Sequence, residues 1–150
     1  MRLRSALLMA LTLAACASQP KGLPGGSHAA DLLASGGAWR LADARLPQGQ
    51  PIPALFASDS NYRLQFVDGQ LNISGGCNRM GAAYRIDKDH LLVDPLASTR
   101  MACDGPRMDN DAWMSRQFGY PVRMRFNGAL QLELEMLDGS KLTFHAVPSE

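Results

Sequence analysis

The chain has almost no excess charge and no long apolar run, and each absence removes a class of function. Its 15 Lys and Arg stand against 14 Asp and Glu, a formal net charge of +1. No basic stripe gathers those cations, so nucleic acid is not an expected partner, and no run of one sign forms a charged tail. The apolar stretch Ala6 to Leu13, broken only by Thr12, is far short of the roughly 20 residues a helix needs to cross a bilayer. No Gly-x-Ser-x-Gly elbow offers a serine nucleophile, and no glycine-rich loop leads into a helix and a lysine to cradle phosphate. His28, His90 and His145 stand far apart, without the close ligand pairs of a zinc site. Asp87, Asp89 and His90 read as a solvated turn. Asp104, Asp109 and Asp111 lack the spacing and glycine placement of a calcium loop. Met80, Met101, Met108, Met114, Met124 and Met136 are scattered and read as core filler rather than copper ligands. No catalytic residue, metal or other cofactor is therefore expected.

What is present begins at the N-terminus. Arg2 and Arg4 precede the short apolar run, and Leu13-Ala14-Ala15-Cys16 closes it. Charge, apolar run and small residues in that order read as an export signal, which is set apart from fold reasoning. The Leu-small-small-Cys ending resembles the lipobox of bacterial lipoproteins. That resemblance implies cleavage after Ala15 and lipidation of Cys16, and two or more acyl chains anchor a protein stably where one holds it only marginally. Ala17, rather than Asp, follows the cysteine. In a Gram-negative host this implies delivery to the outer membrane, facing the periplasm. Residues 1–15 are thus expected to be a signal peptide. Residues 16–36, rich in Gly, Pro, Ser and Ala, are expected to be a flexible tether, and residues 37–148 one folded domain.

That domain reads as antiparallel β. Ala38 to Asp43 reads as the first strand, and Tyr62 to Phe66 alternates apolar with polar. Asp68-Gly69 turns it into Leu71 to Ile73, a strong hairpin signal because glycine tolerates positive φ. Ala83 to Ile86 pairs with Leu91 to Ala97. Val122 to Phe126 turns at Asn127-Gly128 into Leu130 to Met136, which turns at Asp138-Gly139 into Leu142 to Phe144. Arg123 and Arg125 are expected to pair with Glu133 and Glu135 across the wet face of their hairpin. One helix interrupts the strands, with Asp104 as its capping carboxylate, Pro106 in its first turn, Met108, Ala112 and Trp113 on its inner side, Phe118 closing its last turn and Gly119 as its stop. The expected fold is mainly β: a small, strongly curved antiparallel sheet or partly open barrel, lipocalin-like in shape, with one helix packed on it.

Besides Cys16 the chain has two cysteines, Cys77 and Cys103. In an oxidising compartment an even pair is most simply a disulfide. The alternative is a reactive thiol activated by Arg79 or Arg100. Around these cysteines run Trp39-Arg40-Leu41, Gly76-Cys77-Asn78-Arg79 with Gly81 and Tyr84, and Ser98-Thr99-Arg100-Met101-Ala102-Cys103. In this order, over about residues 36 to 147, they resemble the META domain of HslJ-like bacterial lipoproteins. The resemblance implies a compact barrel-like fold with a helix after the second motif, and a correlated cysteine pair. It also implies an exported protein linked to envelope stress, antibiotic tolerance or motility. Relatives usually carry a Glu in that helix, where this chain has Asp109 and Asp111. Structural roles are expected for the motif residues. Gly75, Gly76 and Gly81 would permit turns or close approach, Asn78 would satisfy backbone groups in a bend, and Thr99 and Arg100 would do similar work between strand and helix.

The function expected from these readings is a non-enzymatic, lipid-anchored envelope protein, monomeric, with a binding or structural role and an envelope protein as partner. Two rivals belong to other classes. One is an inhibitor that plugs a lysozyme or protease with the stiff Pro47–Pro53 loop. The other is a thiol–disulfide protein using Cys77 and Cys103, whose bridge would then be far more oxidising than a structural one.

Overall fold

The computed structural model describes residues 26–35, 37–56 and 60–147. The signal peptide, Cys16 and the first part of the tether lie outside them. In chain order the elements are α1 (Gly26–Ser35), β1 (Ala38–Arg45), a short 3-10 turn (Pro53–Phe56), β2 (Arg63–Val67), β3 (Gln70–Ser74), β4 (Met80–Asp87), β5 (His90–Val93), β6 (Ala97–Ser98), α2 (Gly105–Phe118), β7 (Val122–Phe126), β8 (Gln131–Glu135) and β9 (Lys141–Val147).

Eight strands close an antiparallel, lipocalin-like barrel. The ring runs β1, β2, β3, β4, β5, β7, β8, β9 and back to β1, with β6 added on β4. Period-two alternation supplies the interior. Leu64 and Phe66, Leu71 and Ile73, Val122 and Met124, Leu132 and Leu134, Leu142 and Phe144 all point inward and are buried. On β1 the alternation slips. The register against β9 shifts between Leu41 and Asp43, so Trp39, Leu41 and Ala44 face in, as a bulged strand requires. The turns follow local chemistry: Asp68 and Gly69 both take positive φ (50° and 73°), which joins β2 to β3 in two residues.

The weakest seam is between β5 and β7, where only His90↔Arg123 and Leu91↔Val122 pair. The expected single strand Leu91 to Ala97 is broken there. Residues 94–96, Pro95 among them, carry no strand pairing, and Ala97–Ser98 re-forms a bridge to Met80 and Gly81. After this break the chain enters α2, which buries Met114 and Phe118 in the barrel core.

Several details differ from the sequence reading. Residues 26–35 of the expected tether form a helix. Leu33 is fully buried, and its carbonyl accepts a 3.0 Å hydrogen bond from the Trp39 indole N–H. Composition hid this, because apart from Leu32 and Leu33 the stretch is made of small and polar residues, and of the two leucines only Leu33 is fully buried. The described residues therefore contain two α-helices rather than one. In α2 the inner face is Asn110, Asp111, Met114 and Phe118, while Met108 and Ala112 are exposed and Trp113 is half-buried. Asp104 stands at the N-cap position without a side-chain cap bond, and Gly119 ends the helix in a right-handed conformation (φ −71°). Of the charges on the β7–β8 hairpin, Arg125 reaches Glu135 diagonally at 3.7 Å, Arg123 reaches Asp89 at 3.4 Å, and Glu133 takes Lys141 at 3.6 Å.

Candidate functional site

The residues singled out around the cysteines converge on one place. The loop Gly75 to Arg79 joins β3 to β4, and the segment Thr99 to Asp104 joins β6 to α2. A disulfide between Cys77 and Cys103 ties the two, with Cα atoms 5.8 Å apart across a sequence separation of 26. Hydrogen bonds reinforce it. The Asn78 side-chain oxygen accepts from the Met101 N–H at 2.7 Å and from the Thr99 hydroxyl at 3.0 Å. The Arg79 N–H donates to Thr99 Oγ1 at 3.1 Å, and the Thr99 N–H returns a bond to the Arg79 carbonyl at 3.0 Å.

Beneath this loop lies a carboxylate. Asp111, on α2, is 6 % exposed. One of its oxygens accepts the Tyr62 hydroxyl at 2.7 Å and the other the Asn78 backbone N–H at 2.6 Å. A buried charge is tolerated only when its lone pairs are met by donors, as these are. Burial, and then the hydrogen bond and negative charge of Asp111, push the Tyr62 hydroxyl far above its ordinary range, so it stays a donor. The neighbouring Asn110 side chain donates to the Ala54 carbonyl at 2.7 Å, fastening α2 to the 3-10 turn as well.

Two glycines make this approach possible. A Cβ on Gly76 would collide with Asp111 Oδ1 and lie 2.6 Å from the Tyr62 oxygen. Gly75 has φ +93°, and a Cβ there would run into the Asn61 carbonyl, whose residue also donates its N–H to the Gly75 carbonyl at 2.9 Å.

Chemically, the arrangement is a clasp. Both thiols are bonded to each other, both Asp111 oxygens are engaged, and the carboxylate is shut away from solutes. Outside the clasp, a cleft of about 510 Å³ opens to solvent, lined by the loop backbone and by Arg63, Arg79, Asn61, Asn78 and Thr99.

The other residues singled out from the sequence do not join it. Trp39 is buried on β1 and bonded to α1. Tyr84 stacks edge-on against Phe66 at a centroid distance of 5.1 Å. Gly81 sits mid-sheet between Asn72 and Ala97. Arg100 is exposed, with no ion pair among the described residues. The Pro47–Pro53 segment is exposed around a tight turn held by Leu46 N–H to Gln50 O and Gly49 N–H to Leu46 O, both 2.8 Å. Sequence reasoning missed Tyr62 and Asp111 as partners. Among the described residues no three His, Cys, Asp or Glu are grouped to hold a metal, and no helix is long and apolar enough to cross a membrane.

Comparison with known proteins agrees with this geometry. The family model of the META domain matches residues 30–149, and so takes in part of α1. No curated protein matches. A protein from Burkholderia xenovorans solved by NMR is 20 % identical and superposes with a TM-score of 0.61, over 91 % of this chain and 99 % of that one. A crystal structure of a DUF4847 family protein from Bacteroides vulgatus is 13 % identical, with a TM-score of 0.58 over 81 % of this chain and 99 % of the other. At those identities the likeness is one of fold.

Proposed function

The chain belongs to the META-domain family, and on that premise we propose that it is a non-enzymatic, lipid-anchored protein of the cell envelope whose barrel serves a binding or structural role in stress tolerance. The observation that carries this reading is the clasp. Its most distinctive polar groups, Asp111, Tyr62, Asn78 and Thr99, bond to one another rather than facing a substrate. A disulfide beside them suits an oxidising compartment outside the cytoplasm. The lipobox-like Leu13-Ala14-Ala15-Cys16 supports anchoring through Cys16, with the outer membrane, periplasmic side, as the place for a Gram-negative host. A rigid monomeric barrel, locked by its own cross-link, then presents a surface to an envelope partner.

The test combines labelling and complementation. Cells fed an alkyne-tagged fatty acid should label the full chain and sediment it with membranes, while Cys16→Ala should abolish both. A strain lacking the protein should regain tolerance of envelope stress from the wild-type gene and not from Cys16→Ala. A wild-type chain that is unlabelled and soluble would refute the anchoring. Full rescue by the unanchored variant would refute a role at the membrane.

A further inference from the structure

Seven arginines and lysines lie on the strands. Five have a carboxylate within 4 Å: Arg45 with Asp43, Arg85 with Asp94, Arg123 with Asp89, Arg125 with Glu135 and Lys141 with Glu133. The two without one among the described residues, Arg40 and Arg63, are directly opposite each other on β1 and β2. Their neighbours Trp39, Leu41, Tyr62 and Leu64 point into the core, so both guanidinium groups project outward on the same face. Like charges set opposite one another across a ladder destabilise it. A barrel that pairs its other strand cations, yet places these two side by side, bears a cost that folding alone does not explain.

The surroundings indicate what offsets it. Arg63 shares the cleft over the clasp with Arg79, which is also unpaired among the described residues. Arg40 lines the adjoining depression, and Asn61 belongs to both. Among the described residues no Asp or Glu lines either one. Asn61 adds a polar side chain. The floor is rigid, because it is the cross-linked loop Gly75 to Arg79.

We propose that Arg63, Arg79 and Arg40 form a binding site for a phosphate ester at the cleft over the clasp. Planar guanidinium forks match phosphate oxygens two at a time, and three of them suit a doubly charged tetrahedral group. The site goes beyond the envelope reading above and does not require the lipid anchor.

The experiment uses the full chain in neutral detergent. Inorganic phosphate and glucose 1-phosphate are titrated by calorimetry, and co-sedimentation is measured with phosphatidylglycerol and with phosphatidylcholine vesicles. Saturable binding of the soluble probes assigns a free phosphate ester. Binding confined to phosphatidylglycerol vesicles assigns a lipid headgroup. In either case Arg63→Gln should weaken it about tenfold, the loss of one charge-assisted hydrogen bond. Arg116→Gln, a matched charge change on the exposed side of α2, should alter it by less than about twofold, as for a screened surface charge. Arg63→Gln should also unfold at a higher temperature than wild type, which separates lost binding from lost folding. Two results would overturn the proposal: no saturable binding by any probe, or equal losses in Arg63→Gln and Arg116→Gln.

Discussion

A carboxylate on a helix is cheap when it faces water and expensive when it does not, and Asp111 is of the second kind. Removing its charge leaves the Tyr62 hydroxyl and the Asn78 N–H competing for a single acceptor, and losing a hydrogen bond to a charged group typically costs about 1.5–3 kcal/mol. Gly76 is the counterpart of that carboxylate. Because a Cβ there overlaps Asp111 and crowds the Tyr62 oxygen, Gly76→Ala is expected to destabilise the domain by about 1–3 kcal/mol, the usual range for overpacking. Chemical denaturation checks this; an unchanged midpoint would show that the loop yields. Tyr62 carries a pH consequence. Its folded-state ionisation lies above the ordinary value of 10.0, so the unfolded chain releases that proton first. The stabilisation is complete below pH 10 and declines as pH rises beyond it. Tyr62→Phe should therefore flatten the alkaline limb of the stability profile, with the half-buried Tyr84, also raised by burial, leaving a residue of it. The sequence does not reveal this pair. Asp111 stands two positions from Asp109, and nothing local distinguishes the exposed acid from the buried one until the 75–79 loop and Tyr62 close over it.

At the scale of elements, α2 is held at both ends. Near its start the disulfide and the Asp111 contacts fix it to the β3–β4 loop. At its end the Gln117 side chain donates to Asp138 at 2.7 Å in the β8–β9 turn. Burial pushes the Asp138 carboxyl up, but hydrogen bonds from Ser140 and Gln117 outweigh it and hold it below its ordinary value. Closing a loop of 26 residues is worth about 3–4 kcal/mol in the chain-entropy account. The double variant Cys77→Ala with Cys103→Ala is expected to lose about that much in guanidinium unfolding. A loss under about 1 kcal/mol would mean that the hydrogen bonds alone keep the loops together. The helix α2 was legible from Pro106 and the apolar residues around it, yet its inner face was not. Period-3.6 reasoning favours Met108 and Ala112, whereas the helix buries Asn110 and Asp111 because their partners lie on other elements. The helix α1 was hidden for a different reason. Its residues are mostly small or polar, and the burial of Leu33, its bond to Trp39 and the packing of Ala29 on the core, all tertiary facts, commit it to the fold.

For the whole molecule, the barrel was legible because its hairpins announce themselves: Asp68-Gly69, Asn127-Gly128 and Asp138-Gly139 each follow an alternating strand, and each glycine takes positive φ. Closure was less legible. It depends on β1 pairing with β9, from opposite ends of the domain, and on the two-pair seam between β5 and β7, neither of which a local pattern encodes. The broken strand at Pro95 marks the same limit, since Ala97 and Ser98 rejoin β4 beyond the break, at Gly81 and Met80. The resulting domain has a cross-linked motif region that fastens helix to barrel, and its cooperativity should depend on that fastening. The direct measurement is a double-mutant cycle by guanidinium unfolding on wild type, Tyr62→Phe, Asp111→Asn and the pair. If the clasp holds the domain together, both single variants lower the midpoint, and their effects fall short of additivity by about 1–3 kcal/mol. Additive effects within about 0.5 kcal/mol, or single variants as stable as wild type, would contradict it.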